Sequence, residues 1–111
     1  MKLSQKLKSV TAEFDLYAKK YLSSYKYKTQ LWRAMKYGVL NGGKRIRPFL
    51  IIILSKHLKI KKSQYMRLAL ATEFVHAYSL IHDDLQDRDL LRRGLPTIWN
   101  RFGDHTAINL G

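Results

Sequence analysis

Apolar residues recur at helical spacing along the first part of the chain. They stand three or four positions apart with lysines between them, which predicts an amphipathic helix whose apolar face packs in a core or against a partner. The stripe consists of Leu3, Leu7, Val10, Phe14, Tyr17 and Tyr21. Ser23 and Ser24 predict a break. Thr29 is a candidate N-cap for a second helix, whose apolar positions are Leu31, Trp32, Met35 and Leu40.

The clearest turn signal is Asn-Gly-Gly at positions 41–43. It predicts the end of a helix and a backbone that can approach another group closely. Lys-Arg-Ile-Arg-Pro follows at 44–48, and then the apolar run Phe49–Leu54. Periodicity alone allows either a buried strand or a buried helix with Pro48 in its first turn. We predict a helix, because no other segment offers a strand to pair with this run.

A long apolar segment runs from Ser63, a candidate N-cap, to about Asp87, and predicts one continuous helix. Two of its faces are apolar, and a helix that is apolar nearly all round is typical of a buried central element. One face carries Leu68, Ala71, Val75, Tyr78 and Ile81, and the other Leu70, Phe74, Ala77 and Leu80.

Beyond this helix the predicted elements become short. Gly94 and Pro96 indicate a turn. An amphipathic piece follows and ends at Gly103, and another helix begins near Thr106. Because the other predicted elements are helical too, the predicted fold class is all-α. The apolar positions of the amphipathic piece are Ile98, Trp99 and Phe102.

The composition suits one small domain of 111 residues with a modest core. The absence of cysteine excludes disulfides and thiolate metal sites and suits a reducing cytoplasm, where we place the protein. The longest apolar run, Phe49–Leu54, is far shorter than the roughly 20 residues of a membrane span, and the first 22 residues show no secretory signal.

The net charge of +13 is unevenly placed. Residues 1–62 carry 16 lysines and arginines against two acids, whereas residues 63–111 carry five arginines against six acids. A basic half of this kind is compatible with nucleic acid and equally with small polyanions such as diphosphates. Most of these lysines are expected to be solvated surface.

Three aspartates stand at the end of the long helix: Asp83, Asp84 and Asp87. Positions i and i+4 share a helix face, so Asp83 and Asp87 lie one turn apart and repel each other. A hard divalent cation offsets such repulsion, and magnesium commonly bridges a carboxylate to a substrate phosphate. The alternative is a solvated acidic helix end.

Basic residues on glycine turns accompany the acidic cluster. Arg92 and Arg93 precede Gly94, and guanidinium groups recognise phosphate oxygens through two parallel hydrogen bonds. The stretch 42–47 places further cations on a glycine turn at a helix start, although it lacks the Ser or Thr of a Walker loop. His76 lies two helical turns before Asp83 on the same side, which makes it a packed histidine or a hydrogen-bond donor to a diphosphate.

Three sequence blocks together resemble the trans-isoprenyl diphosphate synthase (polyprenyl synthetase) family, in particular bacterial farnesyl and geranylgeranyl diphosphate synthases. They are Asn-Gly-Gly-Lys-Arg-Ile-Arg-Pro (41–48), Glu-Phe-Val-His-Ala-Tyr-Ser-Leu-Ile-His-Asp-Asp-Leu (73–85) and Leu-Arg-Arg-Gly-Leu-Pro-Thr (91–97). Their order and spacing match, and the resemblance is weakest before Leu31. It implies the N-terminal portion of an isoprenoid-synthase helical bundle.

The resemblance also implies roles for individual residues. Asp83, Asp84 and Asp87 match the first aspartate-rich motif, which holds Mg²⁺ on an allylic diphosphate, and Arg92 matches the arginine that contacts this diphosphate. Tyr78 and Ser79 match the positions that limit product length. The isopentenyl diphosphate contacts correspond to Lys44, Arg47, His76 and Arg93. Core packing is the alternative for Tyr78.

Two departures from the family pattern qualify the expected activity. The compact spacing of the aspartates leaves the choice between a farnesyl and a geranylgeranyl product open. In addition, the family's C-terminal half, with a second aspartate-rich motif, is not found in residues 1–111. We therefore expect a short-chain prenyltransferase fragment that is inactive alone; full-length family members are expected to be homodimers.

Two alternative functions follow from the same sequence. One is a catalytically inactive remnant of a truncated gene that retains the diphosphate-binding motifs. The other is a basic nucleic-acid binder, which the charge permits. Because no recognised nucleic-acid motif is present, we expect no nucleic-acid partner.

Overall fold

The computed structural model describes residues 2–24, 29–40 and 43–110. These residues form the helices α1 (Leu3–Ser23), α2 (Gln30–Leu40), α3 (Ile46–His57), α4 (Lys62–Asp87), α5 (Ile98–Phe102) and α6 (Asp104–Leu110). The two-residue strands β1 (Leu91–Arg92) and β2 (Leu95–Pro96) pair in antiparallel register between α4 and α5. The all-α prediction is confirmed, with this small hairpin as an addition.

The chain divides into two compact units. The first unit contains α1, α3 and α4 up to Phe74, and the second contains α2, α4 from Val75, the hairpin, α5 and α6. Within the described residues, no helix combines the length and the apolarity needed to cross a bilayer.

In the first unit, α1 packs against α3. The buried face of α1 runs through Val10, Phe14, Ala18 and Leu22 at four-residue intervals, so the predicted stripe is only partly confirmed. Leu3 is 72% exposed at the start of the helix. The small Ala18 takes a buried position because it lies one turn beyond Phe14 on the same face.

The apolar run after Pro48 forms helix α3 and not a strand, as predicted. Pro48 is the third residue of α3 and so lies in its first turn, which is also as predicted. A proline is tolerated there because the N–H groups of the first turn have no intrahelical partner. One face of α3 buries Pro48, Ile52 and Ser55. The opposite face exposes Ile46, Leu50 and Leu54.

Helix α4 begins at Lys62, so the prediction that Ser63 caps it is wrong: Ser63 lies inside the first turn. The predicted end at Asp87 is confirmed. The helix is not buried all round, since Leu68 is 57% and Val75 71% exposed. Its buried positions are Tyr65, Met66, Ala69, Leu70, Glu73, Ala77, Ile81 and Asp84.

The second unit is built on a small apolar core drawn from several elements. Helix α2 begins after Thr29, whose Oγ1 accepts a hydrogen bond from the backbone N–H of Trp32 at 3.2 Å, which confirms the predicted N-cap. Gly103 ends α5 with a φ of 96°, and α6 starts two residues before the predicted Thr106. The core residues are Ala34, Ile81, Ile98, Ala107 and Leu110.

Candidate functional site

The acidic end of α4 separates its aspartates into two environments. Asp83 and Asp87 are exposed, whereas Asp84 is only 4% exposed. Residues four positions apart share a helix face, so the two exposed carboxylates lie one turn apart, about 6 Å along the axis. Asp84, which follows Asp83 directly, is rotated by about 100° to the buried side.

Asp84 is bonded to Arg92 through both of its carboxylate oxygens. Arg92 Nε donates to Oδ2 at 2.8 Å and Nη2 donates to Oδ1 at 2.7 Å. This paired hydrogen bond, with a smaller contribution from the charge of Asp84, raises the pKa of Arg92 although partial burial opposes it. A guanidinium carries five N–H donors and the Arg92 side chain is 35% exposed, so donors remain for a second anion.

The hairpin that carries Arg92 is fixed by hydrogen bonds to the backbone that follows α4. Thr97 Oγ1 and Trp99 Nε1 both donate to the carbonyl of Asp89, at 2.7 and 2.8 Å. Asn100 Nδ2 donates to the carbonyl of Leu90 at 3.0 Å. The role of these three side chains could not be predicted from the sequence, since side-chain hydrogen bonds to backbone carbonyls leave no periodic signal.

Arg93 lies in the turn of the hairpin and contacts Gly43. Arg93 and Gly94 have φ values of 53° and 77°. Positive φ at both central residues is typical of the two-residue hairpin turns whose backbone twist matches that of the flanking strands. Gly43 has a φ of 131°, and a Cβ there would lie 3.0 Å from Arg93 Nη2. The predicted close approach of a glycine is thus confirmed at Gly43; Asn41 and Gly42 lie outside the described residues.

Lys44 and Arg47 flank the start of α3, and both are exposed. Between them, Arg45 is buried and left-handed, with a φ of 55°. This conformation costs a residue with a Cβ roughly 1–2 kcal/mol. The burial of Arg45 could not be predicted from the sequence, because nothing within a run of cations distinguishes a buried arginine from its exposed neighbours.

His76, Tyr78 and Ser79 lie on α4 before the aspartates. His76 is half-buried, and its carbonyl accepts a hydrogen bond from Ser79 Oγ at 2.7 Å. Tyr78 packs against the core of the second unit, and burial raises the pKa of its hydroxyl. This packing agrees with the alternative considered for Tyr78; the product-length role of Tyr78 and Ser79 stays a prediction.

The donor set suits magnesium through Asp83 and Asp87. Within the described part of the chain, no group of three or more acidic or histidine side chains is arranged to hold a metal ion. Magnesium is commonly bound by one or two carboxylates together with substrate phosphates. The two exposed aspartates can provide these carboxylates. Both carboxylate oxygens of Asp84 accept hydrogen bonds from Arg92, which therefore competes with magnesium for this side chain. The magnesium role of Asp84 stays a prediction.

A family model of polyprenyl synthetases matches residues 28–111. The chain belongs to the polyprenyl synthetase family. The farnesyl diphosphate synthase of Haemophilus influenzae is 51% identical to it over 83 residues, which is 73% of this chain and 28% of that protein. The Escherichia coli farnesyl diphosphate synthase is 47% identical over 85 residues, covering 75% of this chain and 28% of the relative.

Solved structures of the polyprenyl synthetase family share the fold. An FPP/GFPP synthase from Zymomonas mobilis has a TM-score of 0.84 and 33% identity, and the match covers 97% of this chain and 40% of that one. A geranyltransferase from Legionella pneumophila gives 0.87 and 34%, covering 96% and 39%. The chain therefore spans less than half the length of these relatives.

Proposed function

We propose that this chain supplies the N-terminal portion of a prenyltransferase that condenses isopentenyl diphosphate with an allylic diphosphate to a short-chain product such as farnesyl diphosphate. The observation that carries the proposal is the bidentate Asp84–Arg92 pair beside two exposed carboxylates. Asp84 holds the guanidinium of Arg92 in a fixed orientation next to the carboxylates of Asp83 and Asp87. A guanidinium can bind diphosphate oxygens directly, and carboxylates can bind them through magnesium.

The allylic diphosphate is the ligand of the α4 end and the hairpin. Asp83 and Asp87 would hold magnesium, which when bound supplies charge stabilisation to a leaving diphosphate. Arg92 donates its remaining N–H groups to the same diphosphate and stabilises the charge that develops as the allylic carbon–oxygen bond breaks. Asp84 keeps the guanidinium oriented, so little reorganisation accompanies that step.

Isopentenyl diphosphate is the ligand of Lys44 and Arg47. Both side chains are exposed cations that flank the start of α3, with the left-handed Arg45 between them. Their contacts are direct charge-assisted hydrogen bonds to phosphate oxygens. The double bond of this substrate attacks the allylic carbon, and loss of a proton completes the product.

The 111 residues do not by themselves provide the family's second aspartate-rich motif. We therefore infer that the chain alone binds diphosphates without condensing them at a normal rate, and that turnover needs a complementary C-terminal part. We also propose that the active enzyme is a homodimer and lies in the cytoplasm.

Calorimetric titration with each diphosphate, with and without a magnesium chelator, tests the two-ligand assignment. Lys44→Ala and Arg47→Ala should weaken isopentenyl diphosphate about tenfold or more, since one charge-assisted contact contributes about 1.5–3 kcal/mol. Chelation should weaken the allylic ligand first. Lys59→Ala, an exposed lysine beyond α3, is the matched control. Equal losses for both ligands in Lys44→Ala would contradict separate recognition.

A further inference from the structure

Arg45 stands between two exposed cations but is itself turned inward. Its side chain is 4% exposed. Its Nε lies 3.0 Å from Asp15 Oδ1 of α1, and its Nη1 lies 3.7 Å from Glu73 Oε1 of α4. The guanidinium carbon lies 5.6 Å from the centroid of the Phe14 ring. Arg45 therefore joins three helices of the first unit.

The backbone at Arg45 needs such an anchor. A left-handed conformation is unfavourable for a residue with a Cβ and persists where surrounding contacts over-determine it. Asp15, Glu73 and the Phe14 ring provide these contacts from two other helices. Because Arg45 directly precedes α3, its φ of 55° sets the direction in which the chain enters that helix.

We propose that Arg45 is a positioning residue whose ion pairs with Asp15 and Glu73 hold the left-handed turn that presents Lys44 and Arg47 to a diphosphate. This inference rests on the proposed function, in which those two cations contact isopentenyl diphosphate. Arg45 acts through the backbone it shares with its neighbours and does not touch the ligand.

The sign of the charge effect separates this role from a general electrostatic one. Asp15→Asn and Glu73→Gln each remove one negative charge and keep Lys44, Arg45 and Arg47 in place. Coulomb attraction alone then makes the binding of an anion tighter. Loss of the anchor makes it weaker, because the two exposed cations no longer share one orientation.

Titration of the 111-residue chain with isopentenyl diphosphate and with inorganic diphosphate measures this sign. Asp15→Asn and Glu73→Gln should each weaken binding about tenfold, the equivalent of one charge-assisted phosphate contact. Glu13→Gln is the matched control, since it removes the same charge from α1 two residues away, and it should bind as wild type or slightly tighter.

Arg45 variants supply a second readout. Arg45→Lys should retain part of the binding, because an ammonium can pair with one carboxylate but cannot span both, whereas Arg45→Met should lose more.

Thermal unfolding identifies the variants that are folded. Binding as tight as wild type or tighter in folded Asp15→Asn and Glu73→Gln overturns the positioning role and leaves the proposed function standing. A wild-type chain that binds neither diphosphate overturns the proposed function and this inference with it.

Discussion

Asp83 and Asp84 are adjacent in the sequence, and the rotation of about 100° between neighbouring helical positions places them in different environments on α4. Asp83 is exposed beside Asp87, whereas Asp84 is buried with both oxygens on Arg92. The sequence placed these carboxylates together and put arginines near them, because their spacing is local. It could not divide their roles, since that division depends on how the hairpin returns Arg92 to the buried side of the helix.

A pair of isosteric substitutions separates the two roles. Asp84→Asn should lower the free energy of unfolding by about 1–3 kcal/mol, because it removes a charge-assisted pair from a buried position. Asp83→Asn should change it by less than about 0.5 kcal/mol, since it also relieves repulsion with Asp87. Urea unfolding of both variants measures the difference.

The effect on magnesium-dependent binding should be larger in Asp83→Asn than in Asp84→Asn, the reverse of the order for stability. A chelator should still weaken allylic diphosphate binding in Asp84→Asn but should make no further difference in Asp83→Asn. If Asp83→Asn retained the full effect of chelation, magnesium would have to be held elsewhere.

Among the elements, α1 is tied to α3 and α4 by one carboxylate. Glu13 Oε2 lies 3.3 Å from Lys56 Nζ, and Glu13 Oε1 lies 3.3 Å from Lys62 Nζ. Burial opposes ionisation of Glu13, but the hydrogen bonds from Lys62 and Lys56 outweigh it and hold the pKa of this carboxyl below its ordinary value of 4.5. The ionised form therefore stabilises the fold.

This lowered pKa predicts a loss of stability in acid. The contribution of Glu13 is fully present above about pH 4.5, the ordinary value, and is lost as the pH falls through the lower pKa of the folded state. Glu13→Gln should cost about 0.5 kcal/mol at pH 7 and flatten this acid limb, because partly exposed pairs contribute little. Urea midpoints from pH 7 to pH 3 measure it, with Lys59→Gln as the control. An unchanged acid limb in Glu13→Gln would contradict the assignment.

Element boundaries were predictable where the signal is local. Thr29 caps α2 as its side chain suggested, and α4 ends at Asp87. The left-handed conformation of Arg45 just before α3 was not predictable, because Arg45 is held by carboxylates 30 and 28 residues away in the sequence. Only the folded unit brings those groups to one guanidinium.

For the whole molecule, apolar periodicity predicted more burial than this chain provides. Leu68 and Val75 lie on an apolar face of α4 and are more than half exposed, as are Leu50 and Leu54 on α3. A sequence pattern shows which faces are apolar and not which partner covers them. The chain spans 28% of its Haemophilus influenzae relative, so these faces are consistent with a further part of the fold packing on them.

The most direct test is a chimera in which residues 28–111 replace the corresponding segment of the Haemophilus influenzae farnesyl diphosphate synthase. Incorporation of radiolabelled isopentenyl diphosphate into an allylic primer is then measured with and without magnesium. We expect magnesium-dependent product from the chimera. Lys44→Ala and Asp83→Asn should each lower the rate of product formation tenfold or more, the equivalent of roughly one charge-assisted contact. A folded chimera that yields no product, or one that neither substitution affects, would contradict the proposed function.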